Sequence, residues 1–212
     1  MPRLVERGLE LVGAIGIDGQ QRVFGDHRLI VVDTGENPVD DGSRPAVRFP
    51  PVEIRRLTGD DWAEYRAFRI SAAIESPHAF GATPEDMAAR PDQSWRSLLE
   101  AHRDPHGVAL VTVDGARWIG SMRAHVADGV AWVYSVYVIP DERRSGVASA
   151  LMTELVAWSA QHAPSAMLHV AETNDRARRL YEQFGFAPTG VTVQNPAYPS
   201  LTELAMRLPL HP

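Results

Sequence analysis

A short polar turn joins an apolar run to the start of a helix near residue 145. The run Trp132 to Ile139 is apolar at nearly every position and ends at Pro140, which is typical of a strand buried on both faces. Arg143 and Arg144 follow, and the predicted helix begins at Gly146. Because a helix N-terminus has unpaired N–H groups and a partial positive charge, such a turn can bind phosphate. An ordinary turn with solvated arginines is the alternative.

The sequence lacks the other common phosphate- and metal-binding patterns. There is no Gly-x-x-x-x-Gly-Lys-Ser/Thr loop, and no Gly-x-Gly-x-x-Gly follows a predicted strand. His-Glu-x-x-His is also missing, and the chain contains no cysteine. We therefore expect no metal site and no cysteine nucleophile.

The composition limits the classes of partner. The chain has 212 residues, is 44% apolar and carries a formal net charge of −6, so bulk charge does not favour nucleic acid. Its longest apolar run, Val130 to Ile139, is shorter than the roughly 20 residues that span a bilayer. The first residues match a signal peptide poorly. These features predict a soluble, cytoplasmic protein with no nucleic-acid or membrane partner.

A stretch rich in Gly, Asp and Pro divides the chain. Residues 34–51 read as a linker, which separates a small β-rich extension, residues 1–33, from a main domain, residues 52–208. The extension contains three β-like runs: Leu9 to Ile17, Arg22 to Phe24 and Arg28 to Val32. Because so small a meander buries little surface, we expect it to pack on the main domain or on a partner, including a second copy in a homodimer. A poorly ordered leader is the alternative.

The main domain alternates between strand and helix patterns. The predicted strands are Val52 to Leu57, Gly107 to Val113, Arg117 to His125, Val130 to Ile139, Met167 to Ala171, Ala187 to Val193 and Leu201 to Leu208. The predicted helices are Thr58 to Glu75, one beginning at Thr83, Ser94 to His102, Gly146 to Gln161 and Asn174 to Phe184. Asp114-Gly115 and Asp128-Gly129 supply hairpin turns.

Two segments of this domain resemble signatures of the GNAT family of N-acetyltransferases. Val136-Tyr-Val-Ile-Pro140 followed by Arg143-x-x-Gly146-x-Ala148 resembles the family's coenzyme A motif, Gln/Arg-x-x-Gly-x-Gly/Ala. The segment Asn174 to Phe186 resembles its second signature, and the order and separation of the two also match. The resemblance implies an α/β (α+β) fold with a mixed, mostly antiparallel sheet and helices on both faces. Its central strands, here Val130 to Ile139 and Met167 to Ala171, would splay apart to admit the cofactor.

The resemblance also implies acetyl-coenzyme A as the acyl donor. Backbone groups of Val136 and Val138 would hold the pantetheine arm, amides from Arg144 to Ser149 the pyrophosphate, and Asn174 the cofactor end of the cleft. The full implied cofactor-binding set is Val136, Tyr137, Val138, Arg143, Arg144, Ser145, Gly146, Val147, Ala148, Ser149, Asn174 and Tyr181.

Amine acetylation needs a base for the amine proton, a hydrogen-bond donor for the oxyanion and an acid for the leaving thiolate. A lysine-like amine has a pKa of about 10, so a base must take its proton at neutral pH. The oxyanion needs a donor, for which we predict a backbone N–H near Val136. Tyr181 stands where the family often places the acid that protonates the leaving thiolate. An aromatic packed in the core is the alternative, since Tyr181 lies between Ala177 and Phe184 on one helix face.

The base is less defined by the sequence. His169 occupies the position where some family members carry a glutamate, and a histidine can take a proton near neutral pH. A hydrogen-bonded structural histidine is the alternative. Other members carry an acid near position 132, where this chain has Trp132, and this departure puts direct base catalysis in doubt. Glu172 is a further candidate, although it also fits an exposed acid at a strand end.

The predicted function is acetyl transfer from acetyl-CoA to a primary amine of a small molecule or protein. The loop Ser76 to Gly81 resembles a helix-connecting loop of many bacterial members, and we predict that Glu75, His78 and Phe80 bind the substrate. A non-catalytic acyl-CoA-binding regulatory module is the alternative, supported by the missing acid at Trp132. The acceptor stays unspecified, because it depends on loop shapes that the sequence does not determine.

Overall fold

A computed structural model describes residues 28–30, 53–101, 105 and 107–210 of the chain. The strands are β1 Arg28–Ile30, β2 Glu53–Arg56, β3 Gly107–Asp114, β4 Arg117–Ala127, β5 Val130–Val138, β6 Ser165–Ala171, β7 Ala187–Gln194 and β8 Thr202–Pro209. The helices are α1 Trp62–Glu75, α2 Pro84–Ala89, α3 Asp92–Glu100, α4 Val147–Ala160 and α5 Asp175–Gln183. None of the helices in these ranges is long and apolar enough to cross a membrane.

All described strands belong to one mixed sheet. Its eight strands follow the order β1-β2-β3-β4-β5-β6-β8-β7. Every neighbouring pair is antiparallel except β5 and β6, which are parallel and are joined through α4. The mixed, mostly antiparallel sheet expected from the resemblance is therefore confirmed.

The turn and cap residues act as their types predict. Gly115 and Gly129 adopt positive φ angles of 58° and 73° in the hairpins that join β3 to β4 and β4 to β5. The Thr83 hydroxyl accepts a hydrogen bond from the Asp86 amide at 3.1 Å and so caps α2. Gly185 ends α5 with a φ of 88°, where a side chain would be strained. Local sequence therefore fixes where these elements begin and end.

Helices cover both faces of the sheet and create two cores. On one face α4 and α5 pack through residues such as Leu151, Leu155 and Tyr181. On the other face α1 to α3 pack around Tyr65 and Trp95. Alternation along the strands directs one set of side chains into each core, so the sheet separates two layers that are both closed by helices.

Two expectations about this architecture need correction, and others fall outside the described residues. Strand β5 is not buried on both faces, because Trp132 and Tyr134, on one side of it, are only half-buried where they line a cavity. Strand β6 begins at Ser165, earlier than its pattern predicted. Of the N-terminal extension, residues 28–30 form β1 beside β2. Its other runs and the linker lie outside the described residues.

Candidate active site

Strands β5 and β6 share only a short stretch of ladder before they separate. Their parallel pairing is recorded at Ala131 with Ala166 and at Trp132 with Met167. Beyond Trp132, β5 continues to Val138 beside β4, while β6 continues beside β8. The two central strands therefore diverge at the middle of the sheet, as the resemblance implied. The opening exposes one backbone edge of β5 from residue 133 onward.

A β-bulge interrupts β5 at this opening. Ladder pairs with β4 run through Tyr134 and resume at Tyr137, so β5 has one extra residue there, and Ser135 adopts a φ of 59°. The extra residue reverses which side chains face which layer: Val133 lies in the α4 and α5 core, whereas Tyr137 lies in the α1 to α3 core. In the described sheet Val136 has no register partner on β4 or on β6. Val136 also lines the cavity, where a backbone group without a ladder partner can bind a ligand.

A cavity of about 510 Å³ lies at the divergence of the strands. It is lined by residues of both layers, from Tyr65 and Trp95 on one side to Tyr181 on the other. Its volume falls in the range of small-molecule sites. Because both cores contribute walls, the cavity extends through the opening between β5 and β6.

The first turn of α4 has neither a side-chain cap nor an acidic residue. Gly146, the N-cap residue, has a φ of 90° and no side chain to cap the helix, and the first turn contains no acid. By contrast, Asn174 caps α5 through its side-chain oxygen, 3.1 Å from the Ala177 amide. Arg144 also adopts a positive φ, 72°, so two left-handed residues shape a concave turn ahead of α4. Backbone N–H groups at a helix start without a side-chain cap can bind a phosphate group.

Arg143 holds this turn in place through its own contacts. Its Nε donates to the Val138 carbonyl at 3.0 Å, and its terminal nitrogen contacts the Glu75 carboxylate and, at 3.3 Å, the Ser76 hydroxyl. These bonds tie the turn to the end of β5 and to the end of α1. Arg143 thus orders the turn, whereas Arg144 is exposed and lies next to it.

Two neighbouring arginines should therefore respond differently to substitution. Arg143→Gln should weaken acetyl-CoA binding about tenfold, because the lost bonds to a charged group are worth on the order of 1 to 2 kcal/mol. Arg144→Gln should cost less, and its effect should fade at higher ionic strength, since it removes only an exposed cation. Calorimetric titration with acetyl-CoA at two salt concentrations measures both. A larger loss for Arg144→Gln would contradict this division of roles.

The side chains of Glu75 and Tyr137 lie away from the cavity. Although partial burial opposes the shift, hydrogen bonds from Ser76, Arg143 and Tyr137 hold the pKa of Glu75 below its usual value. Tyr137 is buried against Phe68, with ring centroids 5.6 Å apart, and burial beside Glu75 raises the pKa of its phenol. Glu75 therefore supports the turn through Arg143, and the Tyr137 side chain belongs to the α1 to α3 core.

Other residues of the predicted substrate loop separate in space. Phe80 is buried and lines the cavity. His78 is exposed, and its ring lies 5.0 Å from that of Tyr198, outside the cavity walls. Glu172 is exposed at the end of β6 and also lies outside those walls. Of these three side chains, Phe80 alone is positioned to contact a ligand in the cavity.

Tyr181 reaches the cavity wall from α5. It is 5% exposed, and its ring packs edge-on against Phe186 with centroids 6.1 Å apart. Burial raises the pKa of the Tyr181 phenol well above its usual value, so the group carries its proton at neutral pH. The same shift makes the phenol a weaker acid than an exposed one, although a buried phenol can still donate a proton to a thiolate formed beside it. The packing of Tyr181 agrees with a core aromatic, and its role as the acid stays a prediction.

His169 and Glu203 lie on the wall formed by β6 and β8. The His169 ring lies 5.5 Å from the Trp132 ring, in an edge-on arrangement. Although much of His169 is open to solvent, the removal of water around its ring lowers its pKa, and the Glu203 carboxylate opposes that shift. Glu203 accepts a hydrogen bond from Asn195 at 2.6 Å. A neutral imidazole therefore faces the cavity beside a carboxylate.

Sequence reasoning missed three features of the cavity. Glu203 gave no signal because it lies in a predicted strand that contains no recognisable motif. The bulge had one available signal, since Ser135 is the polar residue that interrupts the apolar run of β5. The arginines Arg69 and Arg123 are also buried lining residues. Their positions depend on long-range packing that local patterns do not encode.

Comparison with known proteins places this geometry in a family. The family model described as Acetyltransferase (GNAT) family matches residues 69–186. A mycothiol acetyltransferase of Streptomyces avermitilis is 31% identical over 136 residues, which are 62% of this chain and 41% of that protein. The chain thus matches less than half the length of this curated relative.

Solved structures share the fold. A GNAT-family acetyltransferase from Streptococcus pneumoniae superposes with a TM-score of 0.67 at 16% identity, covering 75% of this chain and 99% of that one. An acetyltransferase described as putative from Salmonella typhimurium, solved with its cofactor acetyl-CoA, has a TM-score of 0.63 at 18% identity, covering 77% and 96%. Because the family model spans more than half of the sequence and these folds agree, the chain belongs to the GNAT acetyltransferase family.

Proposed function

We propose that this protein is an N-acetyltransferase that transfers an acetyl group from acetyl-CoA to a primary amine of a small molecule. The observation that carries the proposal is the divergence of β5 and β6, which joins an unpaired edge of β5 to a cavity of about 510 Å³. The uncapped start of α4 supplies a phosphate site, and Tyr181 supplies a proton donor.

The residues of the cleft have separate tasks in this proposal. When bound, acetyl-CoA supplies an acetyl group activated as a thioester. The turn from Arg143 to Gly146 and the start of α4 hold the pyrophosphate. The Val136 amide donates a hydrogen bond to the thioester carbonyl oxygen as negative charge develops on that oxygen. Tyr181 gives a proton to the departing sulfur. Phe80 and Trp132 line the cavity and exclude water from the reacting atoms.

His169 is the proposed acceptor of the amine proton. A base must be neutral before it can take a proton, and the lowered pKa keeps His169 largely neutral at pH 7. Glu203, on the same wall, attracts the ammonium form of the incoming amine and raises the basicity of His169. In this proposal His169 and Glu203 together replace the acid that other members carry near position 132, where this chain has a tryptophan.

The pH dependence of kcat/KM tests this assignment. In the unmodified protein, activity should fall as the pH drops through the pKa of His169, which lies below 6.5. His169→Gln should remove this acidic limb. Glu203→Gln should move the limb to still lower pH, because loss of the carboxylate removes the interaction that raises the His169 pKa. His162→Gln, outside the cavity at the end of α4, is the matched control. An unchanged profile in His169→Gln would reject the base.

Two measurements decide between the enzyme and a regulatory module that only binds acyl-CoA. Calorimetric titration first establishes whether acetyl-CoA binds. Release of the coenzyme A thiol is then followed over a panel of amines of different charge. Binding with thiol release that depends on an amine supports the transferase. Binding without release from any amine would favour the module, and absence of binding would defeat both.

A further inference from the structure

A buried asparagine just behind the cavity wall joins two segments that form that wall. Asn195 follows β7 and is fully buried, with 0% of its surface exposed. Its side-chain amide bonds to Phe80, 115 residues away along the chain, and to Glu203 on β8. Both of these residues line the cavity, whereas Asn195 does not. Because a buried amide costs free energy unless its donors and acceptors are paired, the partners of Asn195 show what it holds in place.

The amide oxygen of Asn195 closes the β7–β8 connection, residues 195–201. It accepts hydrogen bonds from the backbone amides of Ala197 and Tyr198, both at 3.0 Å. At the other end of the connection, the Leu201 carbonyl accepts a hydrogen bond from the Asn195 backbone amide at 2.9 Å. Pro196 restricts the same backbone, because its ring fixes φ. The orientation of the Asn195 side chain is therefore determined by the main chain around it.

The amide nitrogen of Asn195 bonds to both wall residues. It donates to the Phe80 carbonyl at 3.2 Å and to Oε1 of Glu203 at 2.6 Å. The bond to Glu203 is the stronger of the two, since its acceptor is a carboxylate. With the oxygen and the nitrogen of the amide both engaged, the side chain cannot turn without leaving buried groups unpaired. Glu203 therefore meets a donor whose position is fixed.

Glu203 needs such a donor to stay beside His169. In the ladder between β6 and β8, Glu203 pairs with Ala171 and His169 pairs with Ala205, so Glu203 and His169 are diagonal neighbours on one face. A glutamate side chain has several rotamers, and others would turn the carboxylate away from this neighbour. Among the described residues, Asn195 is the side chain that hydrogen-bonds to Glu203. Its fixed amide therefore selects the rotamer of Glu203.

We infer that Asn195 is a positioning residue for the acceptor amine, because it holds the Glu203 carboxylate on the cavity wall where the ammonium form of the amine binds. The inference rests on the proposed function and adds to it a residue that acts through Glu203. Three of the four side-chain hydrogen bonds of Asn195 go to main-chain groups. The place of the carboxylate is thus built into the path of the backbone.

The variant Asn195→Ser separates this role from closure of the β7–β8 connection. A serine hydroxyl still accepts hydrogen bonds from nearby backbone amides but is too short to reach Glu203. We measure kinetics at pH 8, where His169 is neutral, with the amine of the panel that is acetylated fastest. KM for the amine should rise at least tenfold, while kcat stays within threefold and the affinity for acetyl-CoA is unchanged. An unchanged KM would overturn the inference.

A double-mutant cycle shows whether the effect passes through Glu203. In a Glu203→Gln background, Asn195→Ser should change KM by less than twofold, because the carboxylate that Asn195 holds is already absent. Equal changes of KM in the two backgrounds would mean that Asn195 acts independently of Glu203, and this result would overturn its positioning role.

Tyr198→Leu is the matched control in the same connection. The Tyr198 ring lies 5.0 Å from that of His78, outside the cavity walls, and its backbone amide still donates to Asn195 after the substitution. KM should stay within twofold of that of the unmodified protein. A rise as large as that in Asn195→Ser would mean that any loosening of the connection raises KM, which would also overturn the positioning role.

Glu203→Asp approaches the same bond from a partly exposed position, should Asn195→Ser fail to fold. The shorter acid keeps its charge but withdraws the carboxylate from Asn195 by one methylene group. We expect KM for the amine to rise about as much as it does in Glu203→Gln. If KM stays within twofold of the unmodified value, a carboxylate that Asn195 does not hold serves equally well, and the inference is wrong.

A measurement without substrate distinguishes failure of this inference from failure of the proposed function. The titration of His169 is followed by NMR in the protein without acetyl-CoA or amine, and the signal missing from His169→Gln identifies its ring. Because the Glu203 carboxylate raises the His169 pKa, Asn195→Ser should lower the midpoint by at least half of the shift seen in Glu203→Gln. A midpoint that does not fall overturns the inference even if amines are acetylated. A lowered midpoint supports the hold on Glu203, and absence of acetylation of any amine would then count against the proposed function alone.

Discussion

Replacing Tyr181 by phenylalanine should lower kcat by about 100-fold or more and leave the affinity for acetyl-CoA nearly unchanged. The change removes one hydroxyl from a buried ring that lines the cavity and keeps the packing against Phe186. General acid groups contribute roughly 100-fold to 10,000-fold to a rate. The phenol carries its proton throughout the neutral range, although burial, which raises its pKa, makes it a weaker acid. Steady-state kinetics with calorimetric titration separates turnover from binding.

Tyr65→Phe is the control for this experiment. Tyr65 is also a buried tyrosine that lines the cavity, and its hydroxyl has no hydrogen-bond partner among the described residues. Loss of that hydroxyl should change kcat less than twofold. If Tyr181→Phe changes turnover no more than Tyr65→Phe does, Tyr181 is only a core aromatic, and the leaving thiolate must take its proton from water.

Gly120→Ala should damage both stability and cofactor binding. A Cβ at Gly120 on β4 would lie 2.8 Å from a side-chain carbon of Val147, 3.1 Å from one of Leu151 and 3.3 Å from the Tyr137 carbonyl oxygen. Overpacking of this kind costs about 1 to 3 kcal/mol, which lowers Tm by roughly 2 to 12 °C in a chain of this size. Val147 is the first residue of α4, so relief of the clash moves the helix start that is proposed to hold the pyrophosphate.

Chemical denaturation and acetyl-CoA titration measure these two effects. We expect the affinity for acetyl-CoA to fall at least tenfold, since helix N–H groups bind an anion only within hydrogen-bond distance. Gly115→Asn provides the comparison, because a Cβ at Gly115 meets no atom within 4 Å and asparagine tolerates its left-handed backbone. A stable Gly120→Ala protein with normal acetyl-CoA affinity would show that α4 need not pack closely on β4.

Local signals predicted most of the elements. Thr83 and Asn174 cap helices, and Gly115 and Gly129 form the hairpin turns that their neighbours indicated. Each of these residues determines a boundary through its own backbone preference or a hydrogen bond to a nearby amide, so no distant contact is needed. The same reasoning gave the correct place for the start of α4 at Gly146.

The composition of the cavity was predicted less well, because it depends on contacts between distant segments. Arg123 was not identified, since its partners Tyr65 and Ser135 come from other strands and helices. Arg143 was assigned to phosphate by its sequence neighbours, yet its side chain contacts Glu75 on α1. The resemblance indicated the cleft and Tyr181. On the wall formed by β6 and β8 it indicated His169 but carried no information about Glu203.

Because of the bulge in β5, the chemistry proposed at Val136 depends more on the number of residues in this strand than on which side chains they carry. The group proposed to meet the oxyanion is a backbone amide, which every residue except proline supplies equally. Alanine scanning through this strand would therefore overlook it. Deleting one residue between Tyr134 and Tyr137 would remove the extra residue and leave an unbroken ladder with β4, in which both tyrosines keep their present partners and layers but the bulged backbone at Val136 is lost. Substitutions in this strand can therefore keep the proposed backbone donor, whereas insertions or deletions would remove it.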